Sequence, residues 1–186
     1  MKTLKTNLSY LLSAAIGVLT FVLFAIPYLS LYVDSFLGGA SEGFSGYKVM
    51  DLWDGGFSGV MSSLLQILVL VSAILLLAIG VCGLLKAFGI LKAFPETLGG
   101  IESKKIAHFG LIGYAILNTL LLVFLIIYTS SNSDGNELIS AGVSLSAGIF
   151  VTLVLAIGAA VTPVVVEKLS KKAAPAAEEA PTATEE

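Results

Sequence analysis

Four long runs without Asp, Glu, Lys or Arg dominate this sequence, and they decide which folds are open to it. The runs cover residues 6–33, 55–85, 106–132 and 138–166. Each is longer than the roughly 20 residues that a helix needs to cross a hydrocarbon layer about 30 Å thick. Only 12% of all residues are charged, against about a quarter in soluble domains. The sequence therefore predicts an all-α integral membrane protein with four transmembrane helices.

Lysine sets the expected orientation of these helices. Nine of the ten lysines lie before the first run, between the second and third, or after the fourth, and only Lys48 lies on the other side. Because cytoplasmic loops carry the excess of basic residues, we expect both termini in the cytoplasm. The result is two antiparallel helical hairpins with short extracytoplasmic loops. The expected location is the plasma (cytoplasmic) membrane.

The predicted transmembrane domain covers residues 1–172. Its helices are expected at about 7–33, 57–94, 105–129 and 139–167, where the second includes a cytoplasmic extension that Pro95 ends. Residues 173–186 form an acidic Ala/Pro segment without large apolar side chains, which predicts a disordered tail. A partner-binding role for this tail stays open.

The first extracytoplasmic loop has the most unusual composition in the chain. Residues 34–46 are rich in glycine and predicted to be flexible, whereas "YKVMDLW" at 47–53 predicts a short interfacial helix or strand. If the loop recognises a partner, the expected contact residues are Tyr47, Lys48, Met50, Asp51, Trp53 and Asp54. Trp53 also suits an interfacial anchor, because amphipathic rings prefer the depth of the lipid headgroups.

The arrangement of the loops is similar to that of claudin-type tetraspan proteins. A longer first outer loop carries a Trp just before the second helix, and the second outer loop is short. The likeness is one of topology, since a cysteine pair in the first loop and a Gly-Leu-Trp before it are absent from this sequence. It assigns no family.

Small side chains recur every four residues along the fourth run, and a shorter row occurs in the first. Such rows predict helix faces where two backbones approach closely, because lipid supplies no hydrophobic incentive for helices to pair. They can serve packing within the chain or contact with another subunit. The candidate helix-packing residues are Ser140, Ser144, Gly148, Thr152, Ala156 and Ala160, with Ser13 and Gly17.

The polar residues expected at membrane depth are uncharged. Gln66, Asn118 and Thr119 are the candidates. An amide in this environment seeks a hydrogen-bond partner on another helix, so one possible role is structural. The other is to line a pore or a ligand pocket.

The sequence offers no nucleophile beside a base, no cluster of metal ligands and no phosphate-binding loop. We therefore expect no enzyme activity, no cofactor and no nucleic-acid binding. The expected partners are the lipid bilayer and another membrane protein, or a second copy in a homo-oligomer. The leading hypothesis is a multi-pass membrane accessory or structural protein that binds another membrane or envelope component through helix packing and its first outer loop. The alternative is a small transporter or channel subunit with a pore or pocket between protomers.

Overall fold

The computed structural model describes residues 7–35, 38–92, 94–98, 100–132, 134–135 and 139–173. Its helices are α1 (Leu8–Leu23), α2 (Gly46–Val49), α3 (Gly56–Ala87), α4 (Ser103–Ser131) and α5 (Ala147–Ala173), with a 3-10 turn at Leu52–Asp54. Its strands are β1 (Pro27–Ser35), β2 (Gly38–Ser45), β3 (Thr97–Leu98), β4 (Ile101–Glu102), β5 (Asp134–Gly135) and β6 (Ile139–Leu145). The described residues are mostly helical, and they add strands that the sequence patterns did not predict.

Three helices are long and apolar enough to cross a bilayer: α3, α4 and the Ala147–Leu169 part of α5. The helix α1 is also apolar, but its 16 residues span only about 24 Å at 1.5 Å per residue. These helices identify the chain as a helical membrane protein.

The helices form one bundle with two unlike ends. Helix α1 packs on α3, α4 and α5, while α4 packs between α3 and α5. We call the end where α1 and α4 begin and α3 ends the lysine end, because it carries Lys86, Lys104 and Lys105. We call the opposite end the sheet end, because β1, β2, β5 and β6 form one four-stranded antiparallel sheet there.

The first helix is shorter than the predicted 7–33. It ends at Leu23, and the chain continues from Pro27 as a strand. Proline has no backbone N–H to donate and disfavours helical geometry in the residue before it. The residues that follow alternate between larger apolar and other side chains, so that Leu29, Leu31 and Val33 share one face of β1.

The second long helix also ends earlier than predicted. It stops at Ala87, so the cytoplasmic helical extension to residue 94 is not formed. Gly89 adopts a φ of 75°, a left-handed geometry that glycine reaches without steric cost. Its N–H donates to the Lys86 carbonyl and that of Ile90 donates to the Leu85 carbonyl, which is the Schellman arrangement that terminates helices.

The predictions for the last two helices have different outcomes. The helix expected at 105–129 runs over Ser103–Ser131, within two residues of the prediction at each end. The helix expected at 139–167 begins only at Ala147, because Ile139–Leu145 forms the strand β6. The predicted tail from residue 174 onward lies outside the described residues.

The sheet joins the two loops at its end of the bundle. Its strand order is β2-β1-β6-β5, so β1 lies between a neighbour from its own loop and β6 from the second loop. Leu29 pairs with both Phe44 and Leu145. Leu29 and Val143 are buried in the same apolar core as Leu125 of α4, so one face of the sheet packs on the bundle.

Candidate functional site

The segment that follows β2 is folded closely onto the bundle. Val49 is fully buried, and its carbonyl accepts a hydrogen bond of 3.1 Å from the Ser63 hydroxyl of α3. Met50 packs against the core. The Tyr47 hydroxyl donates to the Phe21 carbonyl of α1 at 3.0 Å, and its ring meets Phe24 edge-on. The "YKVMDLW" segment thus lies in the short helix α2 and the 3-10 turn, so the structure shows the helix of the two predicted alternatives, helix or strand.

Glycine allows the turn before α3 to lie close to its neighbours. A Cβ at Gly55 would come within 2.5 Å of the Tyr128 ring, and one at Gly59 within 2.5 Å of the Leu52 carbonyl oxygen. Real side chains do not tolerate such contacts. The turn is therefore fixed against α3 and α4.

The remaining candidate contact residues of this loop face outward. Trp53 is 47% exposed, and Asp51 and Asp54 are also exposed. The Lys48 ammonium lies 3.4 Å from the Glu42 carboxylate and 4.9 Å from the centre of the Phe44 ring. Both charged side chains are more than half exposed, so this ion pair adds little stability. The loop is thus held against the bundle and presents the Trp53 ring, part of the Tyr47 ring and charges of both signs.

The strand β2 forms the outer edge of the sheet. It pairs with β1 on one side only, and residues 39–43 are exposed. The glycine-rich half of the loop, predicted to be flexible, therefore contains an ordered edge strand in its described part. Backbone N–H and C=O groups on an open edge are able to pair with a strand from another chain.

The predicted ridge of small residues is divided between two elements. Ser140 and Ser144 lie in β6 rather than in a helix, and only Gly148, Thr152, Ala156 and Ala160 lie in α5. In α5, Gly148 packs against Pro27 and Tyr28. Thr152, Ala156 and Ala160 are buried. This row faces its own bundle.

The shorter row in α1 also packs within the chain. The Ser13 hydroxyl reaches the Ala107 carbonyl of α4 at 3.4 Å. A Cβ at Gly17 would come within 2.5 Å of the Cβ of Leu77 and 2.9 Å of the Ala73 carbonyl oxygen, both on α3. The missing side chain lets the α1 and α3 backbones approach closely.

The three intramembrane polar candidates do not share a site. Gln66 and Asn118 are fully buried, whereas Thr119 is exposed on the outer side of α4 and donates to the Ala115 carbonyl one turn earlier. Asn118 donates to the Tyr114 carbonyl at 2.9 Å. Among the described residues, neither amide atom of Gln66 nor the Asn118 oxygen meets a hydrogen-bond partner.

Two tyrosine–threonine pairs, which the sequence patterns missed, connect different elements inside the bundle. The Thr20 and Thr152 hydroxyls donate to carbonyls one turn earlier in their own helices. Each threonine oxygen then accepts a hydrogen bond from a tyrosine: Tyr114 reaches Thr20 at 2.7 Å, and Tyr28 reaches Thr152 at 2.8 Å. These bonds join α1 to α4 and β1 to α5. The available sequence signal was the presence of tyrosine and threonine in otherwise apolar runs.

An apolar groove runs between α4 and α5 on the outer surface of the bundle. Its volume is about 510 Å³. The lining residues are Ile112, Ala115, Ile116, Thr119, Leu120, Ile157, Ala160, Val161 and Val164. Thr119 is the only residue among them with a side-chain polar atom, and that hydroxyl is already bonded within α4. The groove therefore suits an apolar neighbour such as a lipid chain or another helix.

Within the described ranges, no three His, Cys, Asp or Glu side chains come together in a group that could hold a metal ion. The sequence matches no protein-family model, and neither the curated proteins nor the solved structures include a match to it. The geometry of the site combines a packed interior, an ordered outer loop and an open strand edge.

Proposed function

We propose that this chain is a multi-pass accessory or structural protein of the plasma membrane, which binds another membrane or envelope component through its first outer loop and its helix surface. The observation that carries the proposal is the combination of the open edge of β2 with the neighbouring exposed residues Lys48, Asp51 and Trp53. An edge strand supplies affinity through backbone hydrogen bonds, and adjacent side chains supply specificity.

The proposed topology has four spans, with the lysine end in the cytoplasm and the sheet end outside. It rests on the positive-inside distribution of lysine and on the antiparallel packing of α1 against α3 through Gly17 and Gly80. The short α1 spans the bilayer together with the turn that leads to Pro27. A partner helix, or a second copy in a homo-oligomer, occupies the groove between α4 and α5.

The outer loop is rigid enough for recognition. Buried Val49, the Tyr47 hydrogen bond and the close contacts at Gly55 and Gly59 all fix it before a partner arrives. Binding to a preorganised surface avoids the entropic cost of ordering a loop. The acidic and basic groups beside Trp53 then favour a partner whose surface charges are complementary.

Site-specific crosslinking in native membranes tests this proposal. A photoreactive residue in place of Ser41 on β2 is expected to give a discrete adduct, whereas the same residue in place of Ser131, exposed at the end of α4, is expected to give none. The double variant Asp51→Lys/Trp53→Ala should abolish the adduct. The matched control is Phe57→Ala, which removes a ring that is 76% exposed outside the loop and should leave the adduct intact. Monomeric protein in mild detergent, together with no adduct at Ser41, would contradict the proposal.

The transporter or channel alternative required Gln66, Asn118 and Thr119 to line one cavity. Since Thr119 faces away from the two buried amides, no specific observation favours that function. Ion flux through liposomes that is lost in an Asn118→Leu variant with an intact fold would favour it over our proposal.

A further inference from the structure

A second pocket lies at the lysine end, on a part of the molecule that the outer loop does not involve. Its volume is about 320 Å³. The walls come from the start of α1, the end of α3, the segment before β3 and the start of α4. Because three of these walls are helix ends that flank apolar spans, the pocket lies at the depth of the lipid headgroups.

The charges that line this pocket balance. Two lysines, Lys86 and Lys104, face two carboxylates, Glu96 and Glu102. A pocket with two positive and two negative side chains does not favour a purely anionic ligand over one that carries both signs. It suits a ligand with a phosphate and an ammonium group.

The two carboxylates keep most of their surface free. Glu96 lies 3.5 Å from the Lys86 ammonium, yet its side chain is 87% exposed. Glu102 lies 3.5 Å from the Lys105 ammonium and is 61% exposed. Each retains oxygens that can accept hydrogen bonds from a ligand N–H.

Lys104 is the cation available to a ligand. Within the described part of the chain it has no ion-pair partner, whereas Lys86 already donates to the Phe94 carbonyl at 2.8 Å and pairs with Glu96. An unpaired lysine at headgroup depth is a common binder of phosphate.

The wall that carries Glu96 is held in place. Ser103, which is only 1% exposed, donates from its hydroxyl to the Pro95 carbonyl at 2.7 Å and from its N–H to the Glu96 carbonyl at 2.9 Å. On the opposite wall, the Tyr10 ring lies directly on Gly83, where no Cβ would fit. The charged groups therefore stand on a fixed frame rather than on a free loop.

We infer that this pocket binds the headgroup of an ethanolamine phospholipid. The phosphate lies against Lys104, and the primary ammonium donates to Glu96 and Glu102. A choline headgroup has the same charges but no N–H to donate, and a glycerol headgroup has no ammonium. The pocket therefore distinguishes ethanolamine lipids from both.

Lipid retention by the full-length protein tests this inference. The protein is reconstituted with equal amounts of phosphatidylethanolamine, phosphatidylcholine and phosphatidylglycerol, extracted gently, and analysed by native mass spectrometry. Since both charge-assisted hydrogen bonds are lost with choline, we expect preferential retention of the ethanolamine lipid by roughly tenfold or more. Equal retention of the three lipids, or preference for phosphatidylglycerol, would overturn the inference.

Two sets of variants test separately the residues that bind the ammonium and the residue that binds the phosphate. Glu96→Gln/Glu102→Gln should abolish the preference for ethanolamine over choline, and Lys104→Gln should weaken retention of both. Lys92→Gln is the matched control, because Lys92 is an exposed lysine near this end that does not line the pocket. An equal effect of Lys92→Gln and Lys104→Gln would show that only surface charge matters, and would overturn the site. Soluble glycerophosphoethanolamine carries the same headgroup and should compete with the lipid only at a far higher concentration, because it lacks the acyl chains that hold the lipid in the bilayer. Equal potency of the soluble compound and the lipid would overturn the assignment to a membrane lipid.

Thermal unfolding provides a second readout, which also shows whether each variant is folded. The midpoint of thermal unfolding in detergent should rise with added ethanolamine lipid for the wild type and for Lys92→Gln, by ligand linkage. For Glu96→Gln/Glu102→Gln, the rise with ethanolamine lipid should be no larger than the rise with choline lipid, and that variant should still unfold cooperatively without lipid. A rise of equal size in all three proteins would count against the pocket.

Discussion

The first and second uncharged runs are similar in length and apolar character, yet they fold differently. The run 55–85 lies almost entirely in the 32-residue helix α3, whereas the run 6–33 contains the 16-residue helix α1 and then most of the strand β1. The difference lies in Pro27 and in the two-residue alternation after it. Hydropathy thus indicates that a segment suits the membrane, while proline and period decide which secondary structure it adopts.

The strongest test of this comparison is a pair of engineered cysteines across β1 and β6. Ser30 and Ser144 are directly opposite each other, and residues opposite in antiparallel strands have Cα atoms about 4.5–5.5 Å apart, within disulfide range. In a Cys82→Ala background, Ser30→Cys/Ser144→Cys should oxidise almost completely, measured by thiol labelling and mass spectrometry. The control Ser30→Cys/Ala141→Cys, displaced by three positions or about 10 Å, should stay reduced. A helix that continued to residue 33 would give no difference between the pairs.

Truncation of two leucines on one face of β1 tests which part of the strand packs on the bundle. Leu29 is 2% exposed and Leu31 is 40% exposed, although both lie on the same face. Leu29→Ala should lower the free energy of unfolding by about 3 kcal/mol because it leaves a cavity in the core. Leu31→Ala should cost less than about 1 kcal/mol. Denaturant titration in detergent measures both values, and equal losses would place the sheet's contact with the bundle elsewhere.

A larger side chain at the contact between α1 and α3 tests whether the packing of α1 requires close approach of the two backbones. Gly17→Leu forces a side chain against Leu77 and Ala73 and should destabilise the fold by about 2 kcal/mol through overpacking. Gly158→Leu on α5 is the matched control, since no described atom lies within 4 Å of the position of its Cβ. The same titration measures both variants. Tolerance of Gly17→Leu would show that α1 does not rely on close backbone approach.

The smallest expected effect concerns the two tyrosine–threonine pairs. Tyr28→Phe and Tyr114→Phe should each lower the free energy of unfolding by about 1 kcal/mol, because each removes one buried hydrogen bond. The threonine hydroxyls keep their bonds to helix carbonyls, so neither variant leaves an unpaired donor. The double variant should show additive losses if the pairs act independently. Loss at Tyr114 alone would mean that α1, but not β1, is held by its hydrogen bond.

Hydropathy was sufficient to predict the membrane class and the extent of α4 to within two residues, because no proline interrupts that helix and its Gly110 and Gly113 keep helical geometry. It was insufficient for α3, where the single residue Gly89 decides the end through its left-handed backbone. The lysine and phenylalanine residues after Gly89 are typical of a helix at the membrane surface. Their composition does not reveal that the backbone of Gly89 is left-handed and ends the helix.

The row of small residues in the fourth run did not distinguish a helix from a strand, and the reason is geometric. A spacing of four residues places side chains on one face of a helix, and also on one face of a strand, because four is a multiple of two. Ser140 and Ser144 lie in the strand, and the residues from Gly148 to Ala160 lie in the helix.

The segment 47–53 was predicted as an interfacial element, but its attachment through Tyr47 to Phe21 depends on tertiary contacts that no local pattern contains.

The pairing of β1 with β6 also makes the sheet depend on the synthesis of the second loop. Ser30 and Ser146 bond across the sheet although they are 116 positions apart, and β6 directly precedes the final helix. While the ribosome is still making the second hairpin, the β1 edge has no neighbour from the second loop. Contacts between such distant segments form late, and an unpaired edge is a target for aggregation and for chaperones. A sheet in which β1 is paired with β6 is thereby a mark that the chain has been made at least as far as β6.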